Sequence, residues 1–471
     1  MALNVENAAC HGKPGQSWLV LHKTMPPDCG MCGCVLGGDT EMFEQFFKLR
    51  DNKTSAKTEI VAGVTTFLTM AYIIFVNPQI LGTAKMPTDA VFAATCLASA
   101  IGCFLMAFVA NYPIALAPGM GLNAYFAFGV VGGMGYSWQV ALGCVFISGV
   151  IFFIISVLPI REWIVNAIPR SLKMAIAAGI GLFLALIALK NAGIVVGDRA
   201  TLVTHGTLTS WPVLMAVLGF ALIVALEYRK IMGGVIIGIL VVTAVSIIAG
   251  EQKLVGVFDV PPSIAPVLLK MDLGGASKVG LVTVVFAFLF VDLFDNTGTL
   301  IALAHRGGFM RPDGTVPRLS RALISDSAAA MIGAALGTST TTSYIESASG
   351  INAGGRTGLT AATVGVLFLL SLFVAPLATS IPGYATAPAL LYVACLMARG
   401  LTEVEWGDLT ESAPAVITAI AMPFTFSIAD GIAFGFISYA CIKLSAGRWR
   451  DIHPAVAILA VLFVIKYMVI S

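Results

Sequence analysis

The chain has 471 residues, of which 58% are hydrophobic and 11% charged, with a net charge of +2 and a mean hydropathy of +0.93. Soluble domains are about a quarter charged, so this composition excludes a soluble protein, and the small net charge gives no reason to expect a nucleic-acid partner. Long apolar runs recur along the whole chain and predict an all-α polytopic membrane protein.

The first 41 residues differ from the rest, because they show no helical periodicity and contain four cysteines. The run CGMCGC includes a CxxC, but no second ligand pair follows at a spacing typical of zinc sites, so we do not predict a metal site there. Met42 then opens a basic amphipathic segment. We expect native translation to start near Met42, so that residues 1–41 are either not native or disordered.

The apolar segments predict about fourteen spans, of which the third and tenth are short and broken. The last segment, 454–469, is either a full span or a half-span. The predicted spans are 60–81, 90–110, 117–131, 140–158, 171–189, 211–228, 233–249, 279–304, 322–336, 340–350, 360–379, 387–398, 413–426, 432–444 and 454–469. Basic segments at 48–57, 159–173, 229–230 and 305–321 fall on one side of this arrangement, which predicts a cytoplasmic N-terminus.

An internal repeat joins the two halves of the chain. The segment TTFLTMAYIIFVNPQIL at 65–81 resembles VVFAFLFVDLFDNTGTL at 284–300 in the placement of aromatic and aliphatic residues. Each is followed by one ordinary span and then by a broken one, APGMGLNAYFAF at 117–128 or STTTSYIESASG at 339–350. An odd number of spans separates the copies, so the second copy is inverted. Paired interrupted segments of this kind indicate a transporter binding site.

Two aspartates in FVDLFDNTGT, Asp292 and Asp295, are three residues apart and share one face of a helix. Carboxylates in an apolar span are costly unless they are paired, hydrated in a cavity or protonated. We expect Asp292 to bind a ligand or exchange a proton, and Asp295 to support it and take part in proton coupling. The alternative is that an aspartate binds the unwound backbone of the facing broken helix.

The broken segments supply three further candidates. Glu346 is expected at the start of a half-helix, and Tyr344 on the same side of the extended lead-in. A planar heterocycle with N–H donors fits that pair, although a helix-capping role for Glu346 stays open. Asn123 occupies the matching place in the first copy, and its amide offers both donors and acceptors to a base edge. Arg356 is interpreted as an anchor on the cytoplasmic side.

A resemblance to a known family is carried by four segments: GTSTTTSYIESASGINAGGRTGLT, FVDLFDNTGTLIALA, APGMGLNAYFAF and FLTMAYIIFVNPQIL. They resemble the hypoxanthine/adenine/guanine permease branch (AzgA-like) of the nucleobase:cation symporter-2 transporters, over about residues 42–471. The resemblance implies two inverted seven-span repeats, with short extended pieces in the broken third and tenth spans. It also implies a core domain (42–158 and 278–380) that moves against a gate domain (159–277 and 381–471).

The resemblance further implies proton-coupled import of a purine base across the plasma membrane (the inner membrane of a bacterium), often by a homodimer. It assigns substrate contacts to Asn123, Asp292 and Glu346, with Asp295 as a supporting acid. The segment APGMGLNAYF looks more like the guanine/hypoxanthine type than the adenine-specific type. An anion transporter of the same fold is the alternative, which the acidic site opposes. The sequence contains no HExxH, GxSxG or P-loop motif, so an enzyme is not predicted, and no cofactor is expected.

Overall fold

The computed structural model describes residue 44 and residues 46–158, 168–277, 282–311 and 315–470. The predicted N-terminal extension and its four cysteines lie outside these residues, as does much of the basic loop at 159–173. In the described part, ten helices are long and apolar enough to cross a membrane, and three shorter apolar helices accompany them. The predicted all-α polytopic architecture is therefore confirmed.

The first half of the chain runs through eight helices and three short strands. In chain order these are α1 (Ala56–Met70), α2 (Ile73–Thr83), α3 (Thr88–Leu105), β1 (Leu116–Pro118), α4 (Met120–Ala124), α5 (Trp138–Val157), α6 (Arg170–Asn191), β2 (Val195–Asp198), β3 (Leu202–His205), α7 (Trp211–Tyr228) and α8 (Gly234–Ile248). Wider π-helical turns extend α3 over Met106–Ala110 and α4 over Tyr125–Gly133.

The second half repeats the pattern of long helices around one interrupted segment. Its elements are α9 (Leu273–Ala276), α10 (Val282–Arg306), α11 (Leu319–Leu336), β4 (Thr341–Ser343), α12 (Ser347–Asn352), α13 (Gly358–Ser371), α14 (Ala375–Ser380), α15 (Gly383–Ala398), α16 (Leu409–Thr425), α17 (Ile428–Ser445) and α18 (Pro454–Ile470). Helix α18 contains the segment 454–469, which the sequence predicts to be either a full span or a half-span.

The first span is interrupted, whereas the sequence predicts one continuous span over 60–81. Helix α1 ends at Met70, and α2 begins at Ile73. Pro78, inside α2, has no backbone N–H for the i−4 hydrogen bond and its ring crowds that carbonyl. One turn earlier the bonds tighten to the i−3 type, from Ile74 N–H to Ala71 O at 3.1 Å and from Phe75 N–H to Tyr72 O at 3.1 Å. Tyr72 thus lies at the break.

The two broken spans meet through a two-stranded antiparallel sheet. Strands β1 and β4 pair in the register Leu116 with Ser343, Ala117 with Thr342 and Pro118 with Thr341. Two flanking bonds extend the pairing, from Gly119 N–H to Thr340 O (2.9 Å) and from Tyr344 N–H to Ala115 O (3.0 Å). The extended pieces predicted in these spans are confirmed.

A second antiparallel pair, β2 with β3, lies on the exposed loop after α6 and is not predicted from the sequence. Its turn is closed by Asp198, whose Oδ1 accepts from Thr201 N–H at 2.9 Å and from Ala200 N–H at 2.8 Å. These bonds stabilise the ionised carboxyl and lower the pKa of Asp198. The hairpin has no bearing on the interrupted spans.

Helices group into two packed sets. Helix α13 packs on α1 and α3, and α11 packs on α3 and α5. Separately, α6 packs on α15 and α16, while α7 packs on α8 and α15. The first set contains the interrupted spans, and these helices hold the sheet between them.

Glu59 fixes the start of α13 from α1. Its side chain is fully buried, and its carboxylate accepts from Arg356 N–H (2.8 Å), Thr357 N–H (3.2 Å) and Thr360 Oγ1 (2.5 Å). Three donors at the beginning of a helix satisfy a buried carboxylate that would otherwise be costly. The loop after α12 is therefore held in place by a residue about 300 positions earlier, as the separations of these bonds show.

A buried lysine ties α17 to the start of α16. Lys443 is 1% exposed, and its Nζ lies 2.8 Å from Glu411 Oε1 and 3.9 Å from Asp408 Oδ2. Asp408 also pairs with Arg448, and hydrogen bonds from Thr410 and Arg448 lower the pKa of Asp408. We call Lys443, Glu411, Asp408 and Arg448 the Lys443 cluster. Its charges are mutually compensated, and removal of Lys443 leaves Glu411 without a cationic partner.

Replacement of Lys443 by Met should destabilise the protein by about 3–5 kcal/mol, because it strands a partly buried carboxylate. Thermal unfolding in detergent measures the change. The matched control is Arg170→Met, which removes an exposed pair with Glu403 (2.7 Å) and should cost about 0–1 kcal/mol. Equal losses in the two variants would contradict a specific role for the Lys443 cluster.

Candidate functional site

Two half-helices begin at the opposite ends of the β1–β4 pair. Helix α4 starts directly after Gly119, and α12 starts after Glu346. The first turn of a helix carries backbone N–H groups without intrahelical partners and a partial positive charge. The local sequence explains both breaks, because a Pro–Gly pair (Pro118 and Gly119) interrupts one span and a run of Ser and Thr residues favours an extended chain in the other. Two helix starts and their lead-in strands form the centre of the candidate site.

Glu346 occupies the position before α12, as predicted. Its side chain is half-buried and makes no hydrogen bond that caps the helix. Instead, Glu346 Oε1 accepts from the hydroxyl of Tyr72 at 2.7 Å. The capping role that the sequence left open is not observed. A carboxylate held by a tyrosine from the interrupted first span can exchange that donor for a donor on a ligand.

Tyr344 and Asp295 lie beside Glu346. Tyr344 is 5% exposed, and its hydroxyl donates to Pro118 O at 2.6 Å, so its ring joins the two broken spans. Asp295, on α10, is half-buried and near enough for its charge to act on both Tyr344 and Glu346. The structure therefore brings three of the predicted residues into one place.

Asp292 faces a different neighbourhood. It is fully buried, and its Oδ1 accepts from Asn296 Nδ2 at 2.7 Å, while its Oδ2 has no hydrogen-bond partner in the described part of the chain. The charge of Asp326 on α11 acts on it. Asn296 Oδ1 accepts from the backbone N–H of Ser343 at 2.8 Å. An asparagine, rather than an aspartate, thus binds the unwound backbone of the facing span.

The hydroxyl of Ser343 completes this arrangement from β4. It donates to Asp326 Oδ1 at 3.1 Å, while the same residue's N–H is held by Asn296. Asp292 and Asp326 are therefore linked to the strand through Asn296 and Ser343. Of the two aspartates on α10, Asp295 is the one whose charge reaches Glu346.

Asn123 belongs to a buried amide network. Its Nδ2 donates to Asn77 Oδ1 at 2.6 Å, and its Oδ1 accepts from the hydroxyl of Ser339. Asn77 in turn donates to Thr95 Oγ1 (2.7 Å) and Thr338 Oγ1 (2.9 Å). Asn77 and Asn123 are fully buried. In this conformation Asn123 fixes the start of α4 against α2 and the β4 lead-in, and its amide is engaged.

The sequence reasoning missed four residues of this region. Asn77 and Asp326 carried a signal, because a polar or ionisable residue inside a predicted span is a functional candidate by default. Asn296 follows the two aspartates directly but was not singled out. Tyr72 gave no signal, since its role depends on the break between α1 and α2.

Arg356 lies away from these groups. Its Nη1 donates to Ile351 O at 2.7 Å and to Gly355 O at 2.8 Å, so it binds the carbonyl end of α12. Within the described residues, no group of three or more His, Cys, Asp or Glu side chains could hold a metal ion. The side chains of the site offer hydrogen-bond donors and acceptors and carboxyl groups.

Comparison with known proteins gives a consistent result. The model of the family described as "Permease family" matches residues 57–434. The adenine permease AdeP of Escherichia coli is 49% identical over 430 residues, covering 91% of this chain and 97% of that protein. A putative permease of Methanocaldococcus jannaschii is 51% identical, covering 91% and 98%. The guanine/hypoxanthine permease PbuO of Bacillus subtilis is 44% identical, covering 90% and 100%.

Solved structures with the same fold are more distant in sequence. The transmembrane domain of a cyanobacterial bicarbonate transporter, BicA, has a TM-score of 0.61 and 15% identity, covering 80% of this chain and 96% of that one. The murine anion transporter Slc26a9 in its inward-facing state has a TM-score of 0.62 and 11% identity, covering 90% and 74%. At these identities the likeness shows the fold alone.

Replacement of Asn77 by Ala should lower both stability and transport, because Asn123 Nδ2 loses its acceptor and the hydroxyls of Thr95 and Thr338 each lose a donor. A loss of about 1–3 kcal/mol is expected for an unsatisfied buried group. Thermal unfolding and initial uptake rates measure the two effects. Asn191→Ala, at an exposed helix end, is the control and should change neither. Normal uptake by the Asn77 variant would show that the amide network does not position α4 for transport.

Proposed function

The chain belongs to the nucleobase/ascorbate transporter family of permeases, and from this premise we propose that it imports a purine nucleobase together with a proton. The observation that carries the proposal is Glu346 at the start of α12, bonded to Tyr72 and close to a second acid, Asp295. A purine presents ring N–H groups and, in adenine or guanine, an exocyclic amine. Carboxylates accept from such donors.

Recognition would replace the hydroxyl of Tyr72 on Glu346 by an N–H group of the base. The ring of Tyr344 stands beside that carboxylate, and its planar face suits an aromatic heterocycle. Backbone N–H groups at the start of α4 would bind the acceptor atoms of the base. Asn123 would take part if the base displaced Ser339 or Asn77 from its amide. Asp292 would act through Asn296 and Ser343, which fix the backbone of β4.

Proton coupling would use the same acids. Two carboxylates that lie close together in a low-dielectric environment oppose double ionisation, so one of them takes up a proton before an uncharged base can bind. We assign this proton to Glu346 or Asp295, with Asp292 as a further acceptor deeper in the protein. The unpartnered oxygen of Asp292 supports that assignment.

We propose that the two helix sets move relative to each other during transport. The set that contains α1, α3, α5, α11 and α13 would form the core domain, and the set that contains α6, α7, α8, α15 and α16 would form the gate domain. Alternating access would then carry the sheet and its site past the gate helices. We further propose location in the plasma membrane, a cytoplasmic N-terminus and a homodimer, as the sequence suggests.

The choice among purines stays between two groups. Relatives of this chain include adenine permeases and guanine/hypoxanthine permeases, while the segment around Asn123 favours the guanine/hypoxanthine type. An anion transporter of the same fold is the second candidate, since the structural neighbours include a bicarbonate transporter. The proximity of Glu346 and Asp295 opposes it, because two carboxylates repel an anion.

Uptake of radiolabelled hypoxanthine in cells that express the protein tests substrate and coupling together. We expect competition by unlabelled guanine, hypoxanthine or adenine and a strong loss of accumulation with a protonophore, because the proton gradient drives transport. Bicarbonate and sulfate should not compete. Competition by either anion, or accumulation that a protonophore does not change, would contradict the proposal.

Glu346→Ala should abolish uptake while the protein stays in the membrane, since it removes the carboxylate that accepts from the base. A charged hydrogen bond is worth about 1.5–3 kcal/mol, so affinity alone should fall by at least tenfold. Membrane abundance is measured by immunoblot beside the uptake rate. Glu405→Gln, at an exposed position, is the control and should transport normally. Uptake at the unmodified rate in the Glu346 variant would end this assignment.

A further inference from the structure

A second acid–tyrosine pair lies on the helices proposed as the gate. Glu227 is near the end of α7, and its Oε2 accepts from the hydroxyl of Tyr392 on α15 at 3.4 Å. Both side chains are half-buried. Like Glu346 and Tyr72, this pair consists of a glutamate that accepts from a tyrosine hydroxyl. Glu346 and Tyr72 belong to the other helix set. Nothing in the assigned site uses Glu227.

The two pairs lie on elements that contact each other, because α15, which carries Tyr392, packs against α2, which begins directly after Tyr72. Glu227 interacts electrostatically with Glu346, and Tyr392 interacts electrostatically with Tyr72. The hydroxyl of Tyr72 is bound to Glu346, and that of Tyr392 to Glu227. The two acids are therefore near enough to act on each other, and each accepts a hydrogen bond from one tyrosine hydroxyl. The other titratable groups that act on this set are Tyr344, Asp295 and Cys395.

The structure gives Glu227 no cationic partner. No ion pair within 4.0 Å is formed by Glu227 in the described part of the chain. Its carboxylate accepts from the backbone N–H of Val235, in the first turn of α8. Arg229 and Lys230, both exposed, follow it at the end that the charge distribution predicts to be cytoplasmic. An uncompensated carboxylate in a membrane protein marks a proton or ion pathway more often than a structural pair.

We infer that Glu227 is a relay residue, which accepts the proton from the Glu346 site and releases it on the side of Arg229 and Lys230. This inference rests on the proposed proton-coupled import. One proton leaves the carboxyl of Glu346 and one binds the carboxylate of Glu227. A tyrosine hydroxyl that carries the proton takes up one proton as it passes one on, so it gains no charge. Glu346 is left ionised, and Glu227 then loses the proton to water.

A structural role for Glu227 is the competing explanation, because its bond to Val235 N–H caps α8. The variant Glu227→Gln distinguishes the two roles. A glutamine keeps an oxygen that can accept from Val235 N–H and Tyr392, but it does not take up a proton at neutral pH. A cap would survive this change, whereas a relay would not.

The test compares two modes of transport in proteoliposomes that contain the full-length protein. Net uptake of hypoxanthine driven by a proton gradient requires release of the proton, whereas exchange of external label for internal hypoxanthine at equal pH does not. For Glu227→Gln we expect net uptake to fall by about 100-fold, the low end of what a positioned proton carrier contributes, with exchange kept close to that of the unmodified protein. Tyr392→Phe should reduce net uptake in the same direction.

Glu251→Gln, an exposed glutamate after the end of α8, is the matched control and should leave both modes unchanged. Normal net uptake by Glu227→Gln would overturn the inference. Loss of exchange as well as net uptake would also overturn it, since Glu227 would then be needed for binding or folding. Failure of the proposed function is distinguished by the unmodified protein, which would itself show no gradient-driven uptake of the base.

Discussion

Two interrupted spans are possible here because each satisfies the backbone groups that the other exposes. Hydrocarbon offers no hydrogen-bond partners, so an unwound segment inside a membrane protein must be paired by protein. Strands β1 and β4 do this through the register from Leu116–Ser343 to Pro118–Thr341, with a flanking bond on either side. The side chains of Asn296 and Ser339 support the two segments further. This pairing fixes the starts of α4 and α12, and with them every group of the candidate site.

The carboxylates depend on that arrangement in two ways. Glu346 is at the start of α12 because the strand ends just before it, and Tyr72 reaches it because the first span is broken between α1 and α2. Behind the strand, Asn296 and Ser343 connect Asp292 and Asp326 to the same backbone. A shift of the strand during transport would therefore change the environment of several acids at once. In the mechanism that we propose, this would link protonation to movement without a separate coupling element.

Much of this was predictable from the sequence, and the remainder has a physical reason. The inverted repeat, the extended pieces and the position of Glu346 follow from periodicity and from Ser, Thr, Gly and Pro placement, which act locally. The sequence did not show which of the two aspartates lies near Glu346. One helix face carries both Asp292 and Asp295, and their neighbours come from other parts of the chain. Tyr72 and Asn77 depend on a break and on contacts from distant spans. The β2–β3 hairpin was missed because its short strands lie in a polar loop between long apolar helices.

We propose that the base binds beside the β1–β4 pair, with Glu346 at the edge of its site. An experimental structure of the protein with a bound purine tests it most directly. We expect the base within hydrogen-bond distance of Glu346 and of the backbone at the start of α4, with the hydroxyl of Tyr72 no longer on the carboxylate. A base bound elsewhere, with the bond between Tyr72 and Glu346 intact, would contradict the account.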